Sequence, residues 1–291
     1  MSKKPEKKEV GTTGHSWDGI EELNNPLPRW WVWIFYATIV WGIWYTIAYP
    51  AWPLLKGATE GYLGYSTRGE VAADIAAVDA KNADLVGKLE AADLSALSGD
   101  AELYQFAING GRAVFAANCS QCHGSGAAGA KGYPNLLDND WLWGGSIEEI
   151  AFTVSHGIRN EHSPEARWTE MPAFGEILSK EEIAAVVEQV RAISGQEADA
   201  ALAAAGETVY LDNCAACHGD AGEGSRDMGA PVLNDAIWLY GGDVATLTET
   251  VANARFGVMP AWSEAYHPAG GLSAAEINAV AAYVHQLGGG E

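Results

Sequence analysis

Two runs of five residues constrain this chain more than any other feature. Cys119-Ser120-Gln121-Cys122-His123 and Cys214-Ala215-Ala216-Cys217-His218 share one pattern and use all four cysteines. The C-x-x-C-H spacing is that of covalent c-type haem attachment. Two thiols about one helical turn apart add to the two vinyl groups of one porphyrin, and the next residue offers its imidazole to the iron. A structural zinc site wants four nitrogen or sulfur ligands, and each run supplies three. A thioredoxin-like pair needs a strand-helix-strand setting that is absent here. Four cysteines in 291 residues are sparse for a disulfide scaffold. The expected cofactors are therefore two covalently bound haem c groups. Cys119, Cys122, Cys214 and Cys217 would attach them, and His123 and His218 would ligate the irons.

Each run sits in a longer repeat. Gly111–Phe115 before the first pair matches Gly206–Tyr210 before the second, and Pro134–Asp138 matches Pro231–Asp235. Trp141–Gly145 matches Trp238–Gly242, and Met171-Pro-Ala-Phe174 matches Met259-Pro-Ala-Trp262. Each copy closes on an amphipathic helical pattern with serine at its N-cap, Ser179 or Ser273, and a glycine stop, Gly195 or Gly288. This is a tandem duplication of a small haem domain, not a solenoid, with each copy expected to supply its own core. The copies differ by insertions at about 160–170 and 263–271, which should lie in surface loops.

A haem that carries electrons without binding gas needs a sixth iron ligand. Met171 and Met259 share the Met-Pro context at equivalent positions, and proline stiffens a ligand loop. A thioether raises the potential relative to a second histidine. Met228 has no counterpart, and methionine is otherwise a common gap-filler in cores. His156 rivals Met as a distal ligand in the first copy, where the second has Asn253; its other reading is a hydrogen-bonding residue near the haem edge. Own-domain ligation is the default, and a crossed arrangement would need the domains face to face. His162, His267 and His285 read as loop or helix-surface histidines.

Ahead of the repeats, no charged residue occurs from Trp30 to Leu55. Trp30–Tyr49 is apolar all round, and twenty residues at about 1.5 Å each cover the roughly 30 Å hydrocarbon core. Trp30, Trp31 and Trp33 crowd one end, with Tyr49 and Trp52 at the other, as an interfacial belt would. A cleaved signal peptide would have a shorter core and a small-residue cleavage site; a retained anchor is expected. Lys3, Lys4, Lys7, Lys8 and Arg29 precede the span, while only Lys56 and Arg68 closely follow it. That bias puts the N-terminus in the cytoplasm and the haem motifs on the far side. For cytochromes c as a class, the far side is expected to be the bacterial periplasm, where they are matured. Trp41 and Trp44 fall mid-span, where packing on a larger membrane subunit would explain them and Gly42 would allow close approach.

Charge narrows the partners. The chain has 17 Lys+Arg against 38 Asp+Glu, a net −21. Residues 57–291 hold 11 basic and 33 acidic residues, which excludes the basic footprint of nucleic-acid binding. The acidity fits capture of a basic protein partner, or solubility alone. The expected organisation is all-α. It comprises a cytoplasmic lead at 1–29, a transmembrane anchor at 30–52 and a helical connector at 53–103. Two tandem class I-like cytochrome c domains follow, at 104–196 and 197–291. Val71, Ile75, Val78, Leu85 and Leu89 mark the connector's apolar positions.

One further segment is more specific than the haem motifs. Gly14-His-Ser-Trp-Asp-Gly-Ile-Glu-Glu-Leu-Asn-Asn-Pro-Leu-Pro-Arg-Trp-Trp31, running into the span and Tyr49-Pro-Ala-Trp-Pro53, resembles the dihaem cytochrome c subunit (CcoP or FixP) of cbb3-type cytochrome c oxidase. The resemblance covers nearly the whole chain. Read from the residues alone, Trp17, Ile20 and Leu23 recur at helical spacing and would dock a short turn on a membrane surface or partner. The resemblance implies an electron-transfer subunit with no catalytic residue of its own, inside a complex that reduces oxygen and pumps protons. Electrons would come from a cytochrome c or a cytochrome bc complex. They would leave toward a monohaem cytochrome c subunit and a haem-copper catalytic subunit. It also implies the ligand set Cys119, Cys122, His123, Met171, Cys214, Cys217, His218 and Met259, with the methionines crossed. The last helix of the first copy has Gln189 where the second has Tyr283, so family-typical aromatic packing is in question there. Two alternatives stay open: an anchored dihaem cytochrome serving another dehydrogenase or reductase, and a dihaem peroxidase-like enzyme with an open iron site.

Overall fold

The structure is a computed structural model that describes residues 10–290; Lys3, Lys4, Lys7 and Lys8, on which the orientation argument draws, lie outside the described residues. The chain divides into two compact units, Met1–Lys81 and Asn82–Glu291.

The first unit opens on a hairpin rather than the expected helical turn. Strand β1 (Thr12–Trp17) pairs antiparallel with β2 (Ile20–Leu23), and Trp17 faces Ile20 across the turn. Asp18 and Gly19 both have positive φ, 49° and 81°. That is the geometry of a two-residue type I′ turn, which Asp-Gly favours because its twist matches the strands. Helix α1 (Arg29–Ala48) follows Pro28 and ends before Pro50, whose ring disfavours helical geometry in Tyr49. Among the described residues it is the one helix long and apolar enough to cross a membrane. Its two threonines return their hydroxyls to the helix's own carbonyls, Thr38 to Phe35 O and Thr46 to Ile43 O, as an apolar surrounding requires. A short hairpin, β3 (Pro53–Leu54) with β4 (Gly57–Ala58), comes next. The chain then folds back so that Tyr62 and Leu63 N–H groups cap the carbonyls of Ile47 and Ala48.

Helix α2 (Thr67–Glu90) begins in the first unit and ends in the second. Its early apolar positions Val71, Ile75 and Val78 are exposed; its end buries Leu89 beside Leu85. The second unit continues through α3 (Ala101–Val114), a π-helical turn (Phe115–Cys119) and α4 (Ser120–His123) to α5 (Ile147–His156). A 3-10 turn (Phe174–Glu176) leads to α6 (Lys180–Ile193). The second copy supplies α7 (Ala200–Asn213), α8 (Ala215–His218), α9 (Val244–Asn253) and α10 (Ala274–His285). Ser146, Ser179 and Ser273 each complete a capping box with a glutamate three residues on, satisfying two orphan N–H donors at once.

The most extensive helix pairings run between the repeats. Helix α3 packs on α10, and α6 packs on α7. Gly111 of α3 makes the first crossing possible: a Cβ there would lie 2.1 Å from Ala279 O. Gly206 of α7 does the same against Ala185 O, also at 2.1 Å. Two cores result. One joins Phe115, Ile147, Ile150 and Val154 of the first copy to Leu272, Ile277, Val280 and Val284 of the second. The other joins Phe174, Ile183, Val186 and Val190 of the first copy to Tyr210, Leu247 and Val251 of the second. The expectation that each copy encloses its own core is thus corrected; every core is shared. The cause is the link between α6 and α7. Only residues 194–199 separate them, and so short a connection makes consecutive helices neighbours. The first insertion is also less exposed than expected, since Asn160 and Ser163 are buried.

Candidate haem sites

Each C-x-x-C-H run starts where a longer helix ends. In the first, the π-helical turn carries Cys119 into α4; in the second, Cys214 caps both α7 and α8. The four thiols are unpaired. Burial, with a smaller effect of the neighbouring thiol, pushes Cys119 up to about 11 and Cys214 likewise to about 11. Such thiols are poor thiolates for a metal or for redox exchange, whereas a thioether bears no charge and suits the burial. Among the described residues no group of three or more His, Cys, Asp or Glu could hold a metal ion by itself.

The two histidines share one geometry. His123 Nδ1 lies 3.1 Å from Pro134 O, and His218 Nδ1 lies 3.0 Å from Pro231 O. A proton on Nδ1 donates to that carbonyl, which leaves the Nε2 lone pair free for a metal. Desolvation lowers both imidazole pKa values, outweighing the opposite pull of the carbonyls, so the rings stay neutral. Both prolines belong to the repeated Pro-x-Leu segments, so the same contact recurs in both copies. This donor set of two thiols and a neutral imidazole per lobe fits a covalently held haem.

The methionines are exchanged between the repeats. Met259 packs in the core that holds Cys119, and Met171 packs in the core that holds Cys214. Backbone pairing fixes the first of these. Ile158 and Met259 exchange two N–H to O=C bonds, each 3.0 Å, and Trp262 N–H donates to Val154 O at 2.9 Å. The methionine of the second copy is thus stitched to the end of α5 in the first.

His156 has both ring nitrogens engaged. Nδ1 lies 3.0 Å from Ser163 Oγ, and Nε2 lies 3.4 Å from Glu165 Oε2. Its ring lies between Phe152 and Tyr266, with centroids at 4.5 and 5.4 Å. His162 is exposed, as expected; His267 instead stacks on Trp262 at 4.8 Å and keeps a buried Nδ1 without a partner. Tyr283 meets Phe115 at 5.5 Å across the α3–α10 crossing. Sequence reasoning passed over a set of half-buried arginines. Arg167 lies over the rings of Trp143 and Phe152 and donates to Trp143 O, and Arg159 reaches Gly257 O and Thr169 O. No local signal marks them, because their partners lie on other loops.

A chain with one apolar span and two cytochrome c folds is a membrane-associated c-type cytochrome. Comparison with known proteins narrows this. Residues 9–56 match the N-terminal domain of cytochrome oxidase-cbb3, FixP; residues 106–188 match cytochrome c oxidase, cbb3-type, subunit III; residues 203–288 match cytochrome c. The chain is 60% identical to the cbb3-type cytochrome c oxidase subunit CcoP of Cereibacter sphaeroides, with 100% of each chain covered. It is 56% identical to the CcoP subunit of Rhodobacter capsulatus over 100% of both chains. It is 50% identical to the FixP subunit of Bradyrhizobium diazoefficiens over 96% of this chain and 95% of that one. The chain belongs to the CcoP/FixP family, the cytochrome c subunits of cbb3-type oxidase, and its role is electron transfer toward the catalytic subunit.

Proposed function

We propose that this chain carries electrons through two covalent haem c groups, from a cytochrome c or cytochrome bc donor to the monohaem and haem-copper subunits of the oxidase. Each haem, when bound, supplies one-electron ferric/ferrous chemistry. The protein does the rest. Cys119 and Cys122, and Cys214 and Cys217, tether the porphyrins. His123 and His218 present neutral Nε2 atoms, held in place by the Pro134 and Pro231 carbonyls. Met259 serves the site of His123, and Met171 serves the site of His218. The observation that carries this reading is the placement of each methionine in the core of the opposite repeat's cysteines. His156 acts as a structural hub that joins α5 to the 160–170 loop, since Ser163 and Glu165 occupy its nitrogens.

If His123 with Met259 and His218 with Met171 held the two irons, neither iron would offer a site for oxygen or peroxide, which disfavours the peroxidase-like alternative. In this reading α1 spans a bacterial inner membrane once, with the N-terminus cytoplasmic and the haem lobes periplasmic. The acidic surface of the second unit suits a basic donor. The test uses the full-length protein purified from membranes. Mass spectrometry should find two added porphyrin masses. Met171→Ala and Met259→Ala should each abolish one of two methionine-to-ferric-iron charge-transfer bands and open one haem to carbon monoxide. Retention of both bands in either variant refutes that ligand, and carbon monoxide binding by the unmodified ferrous protein refutes the closed-site reading.

A further inference from the structure

Arg159 follows Ile158, the residue whose backbone is paired with Met259, and its own N–H donates to Arg167 O at 2.8 Å. Its backbone φ is +51°. That left-handed conformation is strained for a non-glycine residue, and it persists where the surroundings fix the residue. The guanidinium is fixed at two points. Nε donates to Gly257 O at 2.7 Å, and an Nη donates to Thr169 O at 2.9 Å. Gly257 stands two residues before Met259, and Thr169 stands two residues before Met171. One planar fork therefore grips the same carbonyl position of both methionine loops, one from each repeat. Phe256, the repeat counterpart of Arg159, lies beneath the guanidinium at 5.6 Å, which places Arg159 where the two copies meet.

The cation is half-buried and makes no ion pair among the described residues. Desolvation lowers its pKa, with smaller opposing effects of Tyr240 and Glu170; an arginine nonetheless stays charged. The guanidinium bonds directly to two neutral carbonyls, and Glu170 is a carboxylate whose field acts on its charge.

We infer that Arg159 is a positioning residue shared by both sixth ligands, and that its charge tunes both redox centres together. This rests on the assignment of Met171 and Met259 as iron ligands. Holding the carbonyl two residues upstream fixes the backbone that leads into each thioether. A fixed cation near both sites disfavours the extra positive charge of ferric iron, so it raises both potentials. Lysine keeps the charge but cannot reproduce the two-pronged geometry, and glutamine loses the charge.

The experiment compares full-length, haem-loaded wild-type protein with Arg159→Gln and Arg159→Lys in detergent, by redox titration and near-infrared spectroscopy. Arg159→Gln should lower both midpoint potentials and weaken both methionine charge-transfer bands. Arg159→Lys should weaken both bands while leaving the potentials nearer wild type. A change confined to one haem, or none, overturns the inference. So does a drop in melting temperature with unmoved potentials, which marks a purely structural role. If Arg159→Gln fails to accumulate, Arg159→Lys decides alone, since weakening of one band or neither overturns the shared role. Two bands in the wild type are the prior condition; their absence refutes the ligand assignment itself, not the role of Arg159.

Discussion

Asp140 shows how closely the two copies are pressed together. Burial pushes its carboxyl up to about 6, helped by the carboxylates of Asp235 and Asp138 and opposed by Arg226. Its folded pKa is above the ordinary value of 3.8, so the folded state holds a proton that the unfolded chain has lost. That contribution to stability is complete below the unfolded pKa and disappears as pH rises through about 6. Above that pH the charged Asp140 works against folding. Asp140→Asn should therefore melt higher than wild type at pH 7.5, and the gap should close toward pH 4; thermal melts at the two pH values measure it. Gly206 gives a second prediction of opposite sign. A methyl group there would sit 2.1 Å from Ala185 O, a backbone atom that moves only if α6 and α7 part. Gly206→Ala should destabilise by about 1–3 kcal/mol, the usual penalty of overpacking, seen as a lower midpoint in denaturant. The equivalent Gly111→Ala should do the same at the α3–α10 crossing.

The turn between α6 and α7 decides which helices meet, and Glu188 holds it. Its carboxylate, 8% exposed, accepts two bonds of 2.9 Å from Arg191 and one of 2.8 Å from the Asp199 N–H. Asp199 in turn caps α7 through the N–H groups of Ala201 and Leu202. Glu188→Ala leaves a largely buried guanidinium and an orphan N–H, a loss of about 3 kcal/mol. Hydrogen exchange should quicken in both α6 and α7, and Glu188→Gln, which keeps an acceptor, should show a smaller effect. Elements of this kind differed in how far the sequence announced them. The serine caps, the apolar span and the Met-Pro turns were legible because each depends on residues within one or two turns of chain. The N-terminal hairpin was legible too, in Asp18-Gly19, but the helical spacing of Trp17, Ile20 and Leu23 competed with it. Val71, Ile75 and Val78 were legible as apolar positions of a helix, but not their exposure among the described residues. The exchange of helices was written in the six residues 194–199, a length too short to let α6 return to α3. The contacts of Arg159 and His156 were not legible, since they depend on where loops distant in sequence come to rest.

At the scale of the molecule, each lobe takes its first helix from one repeat and its last from the other. The α3–α10 pair joins the start of the first copy to the end of the second, so neither repeat can leave without opening both cores. A duplicated sequence would allow the simpler layout, in which each copy closes on itself, and the two layouts use the same eight candidate ligands. They differ in which methionine answers to which cysteine pair. Full-length Cys214→Ala/Cys217→Ala removes the second attachment site and leaves one haem, at Cys119 and Cys122, to report. Added to that background, Met259→Ala should abolish the remaining methionine charge-transfer band and admit carbon monoxide, while Met171→Ala should leave both properties near those of the parent. In the converse background, Cys119→Ala/Cys122→Ala, the two methionines should trade roles. If Met171→Ala were instead the damaging change beside Cys119 and Cys122, each repeat would close on its own ligand. The shared cores and the common hold of Arg159 on both loops would then have no counterpart in the working protein.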